Sequence, residues 1–294
     1  MAGGHLEQSD GGRRRVWLSA AGLVRGSVGE ELGGALNPAG HIKLFHRPAA
    51  LYWRARGYTV TEFAYDWRRG FDAAAERLRK VVAAATGERV IVAAHSMGGC
   101  VACRFSALYP AEARRVERAY FFGVPVLGTF SAVEVLLGSF ALPKLVAGAA
   151  LFRGRRRVLA EIRDSCAQMP GLIELLPDPE SFPSAAILYD RANWPSASAP
   201  AQSLLDRARA LKRELPLSPI LARTTVLAAS NWPTAAGVEM AAGGLRLDGV
   251  KAAGDGVTAL ASATPITGMT IHRLGFPHAF LLFEPSGLRQ VAAA

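Results

Sequence analysis

Cysteine and lysine are both scarce in this chain of 294 residues. The three cysteines, Cys100, Cys103 and Cys166, are too few, and odd in number, for a disulfide-stabilised scaffold, and they fit a reducing compartment. Only five of the 34 basic residues are lysine. The formal net charge is still +10, which attracts phosphate-rich partners in general without identifying one.

Long uninterrupted apolar runs are also absent. The segment from Met1 to Arg15 is Gly-rich and polar and lacks the apolar core of about 7–15 residues that a secretory signal needs. The most apolar window, Phe130–Phe152, is broken by Glu134 and Lys144, whereas a membrane-spanning helix needs about 20 largely apolar residues. We therefore expect a cytoplasmic protein without a transmembrane helix.

Strand-like and helix-like segments alternate along much of the chain. Half of the residues are hydrophobic and a fifth are charged, a composition that excludes a disordered or coiled-coil protein. The alternation predicts an α/β fold with a mostly parallel sheet flanked by helices. Strands are predicted over Val16–Leu18, Tyr58–Ala64, Arg89–Ala94, Ala119–Gly123 and Thr224–Ala229, and near Thr270–His272.

The alternation stops between Pro125 and about Pro219, where helices, loops and a basic cluster follow one another. We therefore predict a disordered tail over 1–15, a sheet core over 16–125 and 220–294, and a helical cap inserted over 126–219. The apolar window in this cap is followed by Arg153 and Arg155–Arg157, which leaves two interpretations open. The segment either rests peripherally on an anionic membrane, or it packs as a cap helix with a solvated basic end.

The strongest chemical signal is the sequence Ala94-His95-Ser96-Met97-Gly98-Gly99 between a predicted strand and a predicted helix. A serine on such a sharp strand-to-helix turn needs small residues two positions before and after it, and Ala94 and Gly98 are small. We predict that Ser96 is a nucleophile and that the backbone N–H of Met97 donates to the oxyanion.

A serine hydroxyl needs a base within hydrogen-bonding distance to act as a nucleophile. His272 and His278 both follow the predicted cap. We favour His278, which lies in a loop between the last strand and the last helix, as general base and then acid. His272 lies inside the preceding strand and is interpreted as a structural histidine.

The base in turn needs a carboxylate that fixes its tautomer. Asp255 is flanked by two glycines that let the backbone turn sharply, and we favour it over Asp248, which precedes Gly249. Either aspartate can also be read as an ordinary turn residue.

Several further motifs accompany these residues in a fixed order. They are Tyr65-Asp66-Trp67-Arg68-Arg69, the elbow sequence, Gly123-Val124-Pro125-Val126-Leu127-Gly128-Thr129, Met169-Pro170-Gly171-Leu172 with Leu175-Leu176-Pro177, Gly254-Asp255-Gly256-Val257-Thr258, and the Pro-His-Ala-Phe-Leu-Leu sequence around His278. Over roughly residues 16 to 285 the chain resembles the lecithin:cholesterol acyltransferase family of α/β-hydrolases. The resemblance implies transfer or hydrolysis of a lipid acyl ester through an acyl-serine intermediate, with no metal or organic cofactor.

Two positions depart from the family pattern. Val124 stands where the family has threonine. The family's Pro-Gly-x-x-Gly-Ser loop, which supplies a second oxyanion donor, is not found before Val16; either Gly22–Ser27 imitates it, or the chain begins after it. If that donor is lost, the alternative function is a catalytically impaired α/β-hydrolase-like binding protein.

Other motifs have simpler structural interpretations. We expect Asp66 to pair with an arginine and Trp67 to be packed, although the cluster also suits phosphate or base binding. Cys100 and Cys103 are spaced like a redox or zinc pair, but small core residues are the favoured interpretation. His95 is interpreted as a packing residue. Nucleic-acid binding is not expected, because only the charge supports it.

Overall fold

The computed structural model describes residues 5–8, 14–17, 32–40, 42–87, 89–139, 163–196 and 199–293. The strands in chain order are β1 (Leu6–Gln8), β2 (Arg14–Trp17), β3 (Asn37–Pro38), β4 (Val90–His95), β5 (Val116–Phe122), β6 (Thr224–Ala229), β7 (Trp232–Ala235), β8 (Val238–Ala241), β9 (Gly244–Leu247), β10 (Lys251–Gly254) and β11 (Thr270–Leu274). The α-helices are α1 (Lys43–Arg54), α2 (Phe71–Ala84), α3 (Met97–Leu108), α4 (Pro110–Ala113), α5 (Phe130–Leu136), α6 (Pro170–Ile173), α7 (Gln202–Glu214), α8 (Leu260–Ala263) and α9 (Pro285–Ala292).

The central sheet contains β4, β5, β6 and β11. Its strands lie in the order β11-β6-β5-β4, and every neighbouring pair is parallel. The predicted parallel sheet with flanking helices is therefore confirmed. None of the helices in the described ranges has both the length and the apolar character needed to cross a bilayer.

Strand β5 shows how the two faces of the sheet are covered. Alternate side chains of a strand point to opposite faces. Phe121 belongs to the core that includes α2 and α3, whereas Tyr120 and Phe122 belong to a second core with α1 and α9. The sheet is thus buried on both faces, as parallel sheets are, and its carboxyl edge is held between two packed layers.

The prediction of a strand over Tyr58–Ala64 is wrong. The structure leaves this segment without strand pairing. Its side chains do alternate, since Tyr58 and Val60 pack against one core and Phe63 against the other. A strand also needs a neighbour to accept and donate its backbone hydrogen bonds, and β4, the nearest edge of the sheet in chain order, pairs with β5 alone among the described strands.

Four short strands for which the sequence analysis made no prediction, β7 to β10, lie between β6 and Asp255. Strands β8 and β9 form an antiparallel hairpin in which Ala241 pairs with Gly244, and Gly244 has φ +102°. Strands β7 and β10 form a second antiparallel pair. This second pair matters for the site because Asp255 follows directly on β10.

The segment predicted as a cap shares its core with the sheet helices. Buried hydrogen bonds connect the two parts: the backbone N–H of Phe71 donates to Glu174 Oε2 over 2.6 Å, and the Ser218 hydroxyl donates to the Cys103 carbonyl over 2.8 Å. Lys212, buried like these groups, donates to the Glu174 carbonyl over 2.7 Å. The segment therefore supports the first turn of α2 and the body of α3.

Candidate active site

Ser96 occupies a strained turn between β4 and α3. Its backbone has φ +55° and ψ −133°, and it is the only residue other than glycine with positive φ among the described residues. Such a conformation costs roughly 1–3 kcal/mol and persists only where the surroundings impose it. Here the Ser96 N–H donates to the carbonyl of Phe122 over 3.0 Å, which ties the turn to the neighbouring strand β5.

The sequence analysis expected the turn to need a small residue at Gly98. In the structure the position with the least space for a side chain is the next one, Gly99. A Cβ on Gly98 would meet Ala94 at 3.9 Å, an ordinary contact. A Cβ on Gly99 would lie 2.4 Å from both methyl groups of Val124. The glycine that packing demands is therefore Gly99, and its partner is the valine that replaces the family's threonine.

Substituting these two adjacent glycines is expected to give opposite effects on stability. Gly99→Ala should lower the stability by about 1–3 kcal/mol, because it overpacks a buried contact. Gly98→Ala should leave the stability unchanged or raise it by about 0.4–1 kcal/mol, because the helix has room for the methyl group. Thermal unfolding midpoints measure both, and a Gly98→Ala variant that melts as low as Gly99→Ala would contradict the packing argument.

His278 begins a short 3₁₀ helix, His278–Phe283, in the loop after β11. Its ring joins the two other candidate residues: Nε2 lies 2.9 Å from Ser96 Oγ, and Nδ1 lies 2.8 Å from Asp255 Oδ2. The residue is buried, with 4% of its surface exposed. His272 instead lies within β11, where it pairs with Leu227, so it is the loop histidine that meets Ser96.

Asp255 follows β10 and is held by its own turn. Its Oδ1 accepts hydrogen bonds from the backbone N–H groups of Val257 (2.9 Å) and Thr258 (2.7 Å), which leaves Oδ2 facing His278. The residue is 2% exposed. Its competitor Asp248 has a local role, because its Oδ1 accepts from the N–H of Val250 over 2.8 Å in the turn after β9.

Gly123 completes the site from the end of β5. Its φ is +56°, and a Cβ there would lie 2.5 Å from Asp255 Oδ2 and 3.1 Å from His278 Nδ1. The Thr258 hydroxyl donates to its carbonyl over 3.0 Å. Only glycine fits between the strand end and the carboxylate-imidazole pair. The sequence analysis named Gly123 only as part of a family motif. Its position directly after β5, the strand that follows the elbow strand β4 in the chain, was the one sequence feature that could have indicated its place in the site.

His95 contacts the site in a way that the packing interpretation did not anticipate. Its Nε2 lies 2.8 Å from the backbone carbonyl of His278, and the two rings are 4.8 Å apart between centroids. Burial, with smaller contributions from the charges of His278 and His46, holds the pKa of His95 well below its ordinary value. His95 is therefore neutral at pH 7.

The remaining motifs have structural positions. Arg68 pairs with Asp66 over 2.7 Å, and Trp67 is buried, as expected from the sequence. Cys100 and Cys103 are fully buried, and burial raises the pKa of both thiols, which makes them unreactive core residues. Within the described ranges, no group of three or more His, Cys, Asp or Glu side chains is arranged to hold a metal ion.

Two sequence hypotheses fall largely outside the described residues. The Gly22–Ser27 segment, a candidate for the second oxyanion donor, lies entirely outside them, and so do residues 140–162 of the apolar and basic window.

Met97, which carries the other predicted oxyanion donor, is the first residue of α3. Its N–H belongs to the first four of the helix, which have no intrahelical acceptor, and it therefore suits an incoming anion.

Comparisons with known proteins agree with this architecture. A family model described as lecithin:cholesterol acyltransferase matches residues 52–212, more than half of the chain. The chain belongs to this family. The match includes the elbow at Ser96 but ends before Asp255 and His278, which are placed by the structure alone.

Among solved structures, a chain of the Tle4–Tli4 complex matches with a TM-score of 0.54 and 14% sequence identity. The alignment covers 77% of this acyltransferase-family chain and 65% of that chain, so this chain spans less than two thirds of the neighbour's length. At this identity the likeness shows the shared fold, and the fold is that of the α/β-hydrolases. No curated protein matches the chain.

Proposed function

We propose that this protein transfers or hydrolyses the acyl group of a lipid ester through an acyl-Ser96 intermediate. The observation that carries the proposal is the hydrogen-bonded series from Ser96 Oγ to His278 Nε2 and from His278 Nδ1 to Asp255 Oδ2. The order of these residues along the chain, serine, aspartate and histidine, is the order found in α/β-hydrolases.

The hydrogen bonds of His278 support a position for each proton in this mechanism. A carboxylate only accepts hydrogen bonds, so the His278 proton lies on Nδ1 and Nε2 is left to accept the proton of Ser96. As Ser96 Oγ attacks the ester carbonyl, its proton passes to Nε2, and Asp255 stabilises the imidazolium that forms. His278 then returns the proton to the leaving alcohol, and the N–H of Met97 donates to the oxyanion.

The second half of the reaction reverses these steps. An alcohol or a water molecule gives its proton to Nε2 as it attacks the acyl-Ser96 carbonyl. The bond between Ser96 Oγ and the acyl carbon then breaks, His278 returns the proton to Ser96 Oγ, and the new ester or the acid is released. Both acceptors use the same residues. Transfer and hydrolysis are therefore distinguished by supplying phospholipid with a labelled acyl chain, with and without a long-chain or sterol alcohol, and measuring labelled ester against labelled acid.

Exposed aromatic side chains around the histidine loop support an apolar substrate. Phe276 and Phe280 are 41% and 43% exposed and flank His278 in sequence. Trp232, also exposed, donates from its ring nitrogen to the carbonyl of Gly275 over 2.9 Å. Phe280 also packs edge-on against Phe45 in the first turn of α1, with ring centroids 5.9 Å apart. We call the exposed side chains of Phe276, Phe280 and Trp232 the aromatic rim. This rim suits contact with an apolar acyl chain better than contact with a polar ester.

A fluorophosphonate probe tests the proposal directly. The probe phosphonylates an activated serine, so the folded protein should bind one probe per chain, and peptide mass mapping should place it on Ser96. Excess phospholipid should slow the labelling. A folded protein that stays unlabelled would favour the alternative, a binding protein of the same fold without catalysis.

Replacing Phe280 with serine is expected to act on long acyl chains selectively. Each buried methylene contributes about 0.8 kcal/mol, so the loss of part of an apolar contact should raise KM for a long-chain ester about three- to tenfold. KM for a short-chain ester should not change. Leu217→Ser, which removes another exposed apolar side chain from the 3₁₀ helix Leu215–Leu217, serves as the control. Equal effects on both ester lengths would contradict the assignment of the rim.

A further inference from the structure

The backbone of His278 is held at both of its polar groups. Its N–H donates to the carbonyl of Asp255 over 2.9 Å. Its carbonyl lies 2.8 Å from Nε2 of His95. The residue that follows β10 and the residue that ends β4 therefore hold the two peptide groups that flank the His278 Cα, in addition to the bonds that the His278 ring makes to Ser96 and Asp255.

The chemistry of the acceptor fixes the tautomer of His95. A carbonyl oxygen only accepts, so His95 Nε2 must carry a proton and donate it. Since His95 is partly buried and neutral, that proton is the only one on the ring, and Nδ1 is unprotonated. The interaction is thus a hydrogen bond from a neutral imidazole to the main chain of His278.

Through His95, this hydrogen bond links the main chain at Ser96 to the main chain at His278. The distance between the side chains of Ser96 and His278 decides whether a proton can pass between them. His95 is joined by a peptide bond to Ser96, whose backbone is strained, and its ring reaches the main chain of His278. The His95 ring also has two ring neighbours, His278 at 4.8 Å and His46 edge-on at 5.8 Å between centroids. A ring in contact with two others has little freedom to swing away from its acceptor.

We infer that His95 is a positioning residue for acyl transfer: its Nε2–H anchors the backbone carbonyl of His278 and thereby keeps His278 Nε2 within reach of Ser96 Oγ. The inference rests on the proposed function. It goes beyond that function because it assigns a role to a residue that touches neither the acyl group nor the acceptor. Small displacements of a base are costly, since a misplacement of about 1 Å can lower a rate about 10²-fold.

The test compares three substitutions of His95 that differ in their reach. In His95→Gln, the amide nitrogen extends about as far from the backbone as imidazole Nε2 and can donate to the same carbonyl. His95→Leu has no donor, and His95→Asn has a donor that is one methylene too short. We expect His95→Leu and His95→Asn to lower kcat and the rate of fluorophosphonate labelling about 10- to 100-fold. His95→Gln should recover most of that loss, and KM for a soluble ester should stay within twofold for all three.

The control is His272→Leu, which removes another largely buried imidazole from the same sheet, in β11. It should leave kcat unchanged. Thermal unfolding reports whether each variant folds, and if His95→Leu does not fold, the comparison of His95→Asn with His95→Gln still decides the question. Equal rates for wild type, His95→Asn and His95→Gln would overturn the inference, and so would equal losses in the last two.

The outcome for His95 is separable from that for the proposed function. If the wild-type protein is not labelled at Ser96, the proposed function fails and the variants have no reaction to alter. If the wild type is labelled and the His95 variants match it, the acyl-serine mechanism stands and only the positioning role is overturned.

Discussion

Replacing Ser96 with alanine is expected to lower kcat for ester turnover by about 10⁶-fold, because the hydroxyl that forms the acyl intermediate is removed while the binding surface is kept. Turnover of a soluble ester, measured over days with high enzyme concentration, checks the size of the loss. Fluorophosphonate labelling should disappear in the same variant. The folded structure should persist, because the hydroxyl faces His278 and makes no other hydrogen bond with the residues that the structure describes.

Ser106 provides a matched control on the same helix. It is buried in α3, and its hydroxyl has no hydrogen-bond partner in the described structure. Ser106→Ala should therefore leave kcat unchanged and should not lower stability, because it removes an unsatisfied polar atom from the core. A Ser96→Ala variant that retains more than a small fraction of the wild-type rate would refute the assignment of the nucleophile.

A third substitution separates chemistry from backbone strain. Glycine adopts positive φ without the steric cost that serine incurs, and the conformation at Ser96 costs roughly 1–3 kcal/mol for other residues. Ser96→Gly should thus be inactive yet unfold at a higher temperature than Ser96→Ala. Identical midpoints would mean that the strain seen at φ +55° is not energetically significant.

Replacing Asp255 with asparagine is expected to lower kcat by about 10⁴-fold, with KM nearly unchanged. The carboxylate accepts a hydrogen bond from Nδ1–H of His278 over 2.8 Å. An amide in its place can turn its NH₂ group to the ring, which favours the tautomer that carries the proton on Nε2 and so blocks removal of the Ser96 proton. Oδ1 can still accept from the N–H groups of Val257 and Thr258, so the turn itself should survive.

Asp248→Asn is the matched control for this prediction. Asp248 accepts the N–H of Val250 in a turn, a role that asparagine also fills. Its kcat should equal that of the wild type. If Asp248→Asn lost activity and Asp255→Asn kept it, the acid would have been assigned to the wrong residue.

The elements of the site were predictable to different degrees. The turn at Ser96 was recognisable because a Val- and Ile-rich strand, a run of small residues and an amphipathic helix follow one another within about twenty residues. The choice of His278 over His272 followed from its place in a loop, where a side chain is free to point out of the sheet. The error at Tyr58–Ala64 arose because alternation reports burial on two faces, whereas a strand requires a paired neighbour.

Contacts between distant segments were beyond the sequence. The demand for glycine at 99 depends on Val124 in another loop, and that at 123 depends on Asp255 and His278, more than a hundred residues later. The bond from His95 to the backbone of His278 has the same character, since it joins residues 183 positions apart. Such requirements have no local signature, because they concern the distance between two surfaces of a packed core.

The amino-acid sequence by itself determined the α/β fold, the family, and the residue types that suit the proposed acyl-serine mechanism, because strand and helix periodicities and the serine turn are properties of short segments. The tertiary structure brought the ring of His278 next to Ser96 and the carboxylate of Asp255 next to that ring, and it decided which glycines are indispensable and that His95 touches the histidine loop. Those outcomes depend on two features of the tertiary structure. The parallel pairing of β4, β5, β6 and β11 brings the ends of strands far apart in the chain to one edge of the central sheet, and the separate β7–β10 pair ends beside it at Asp255.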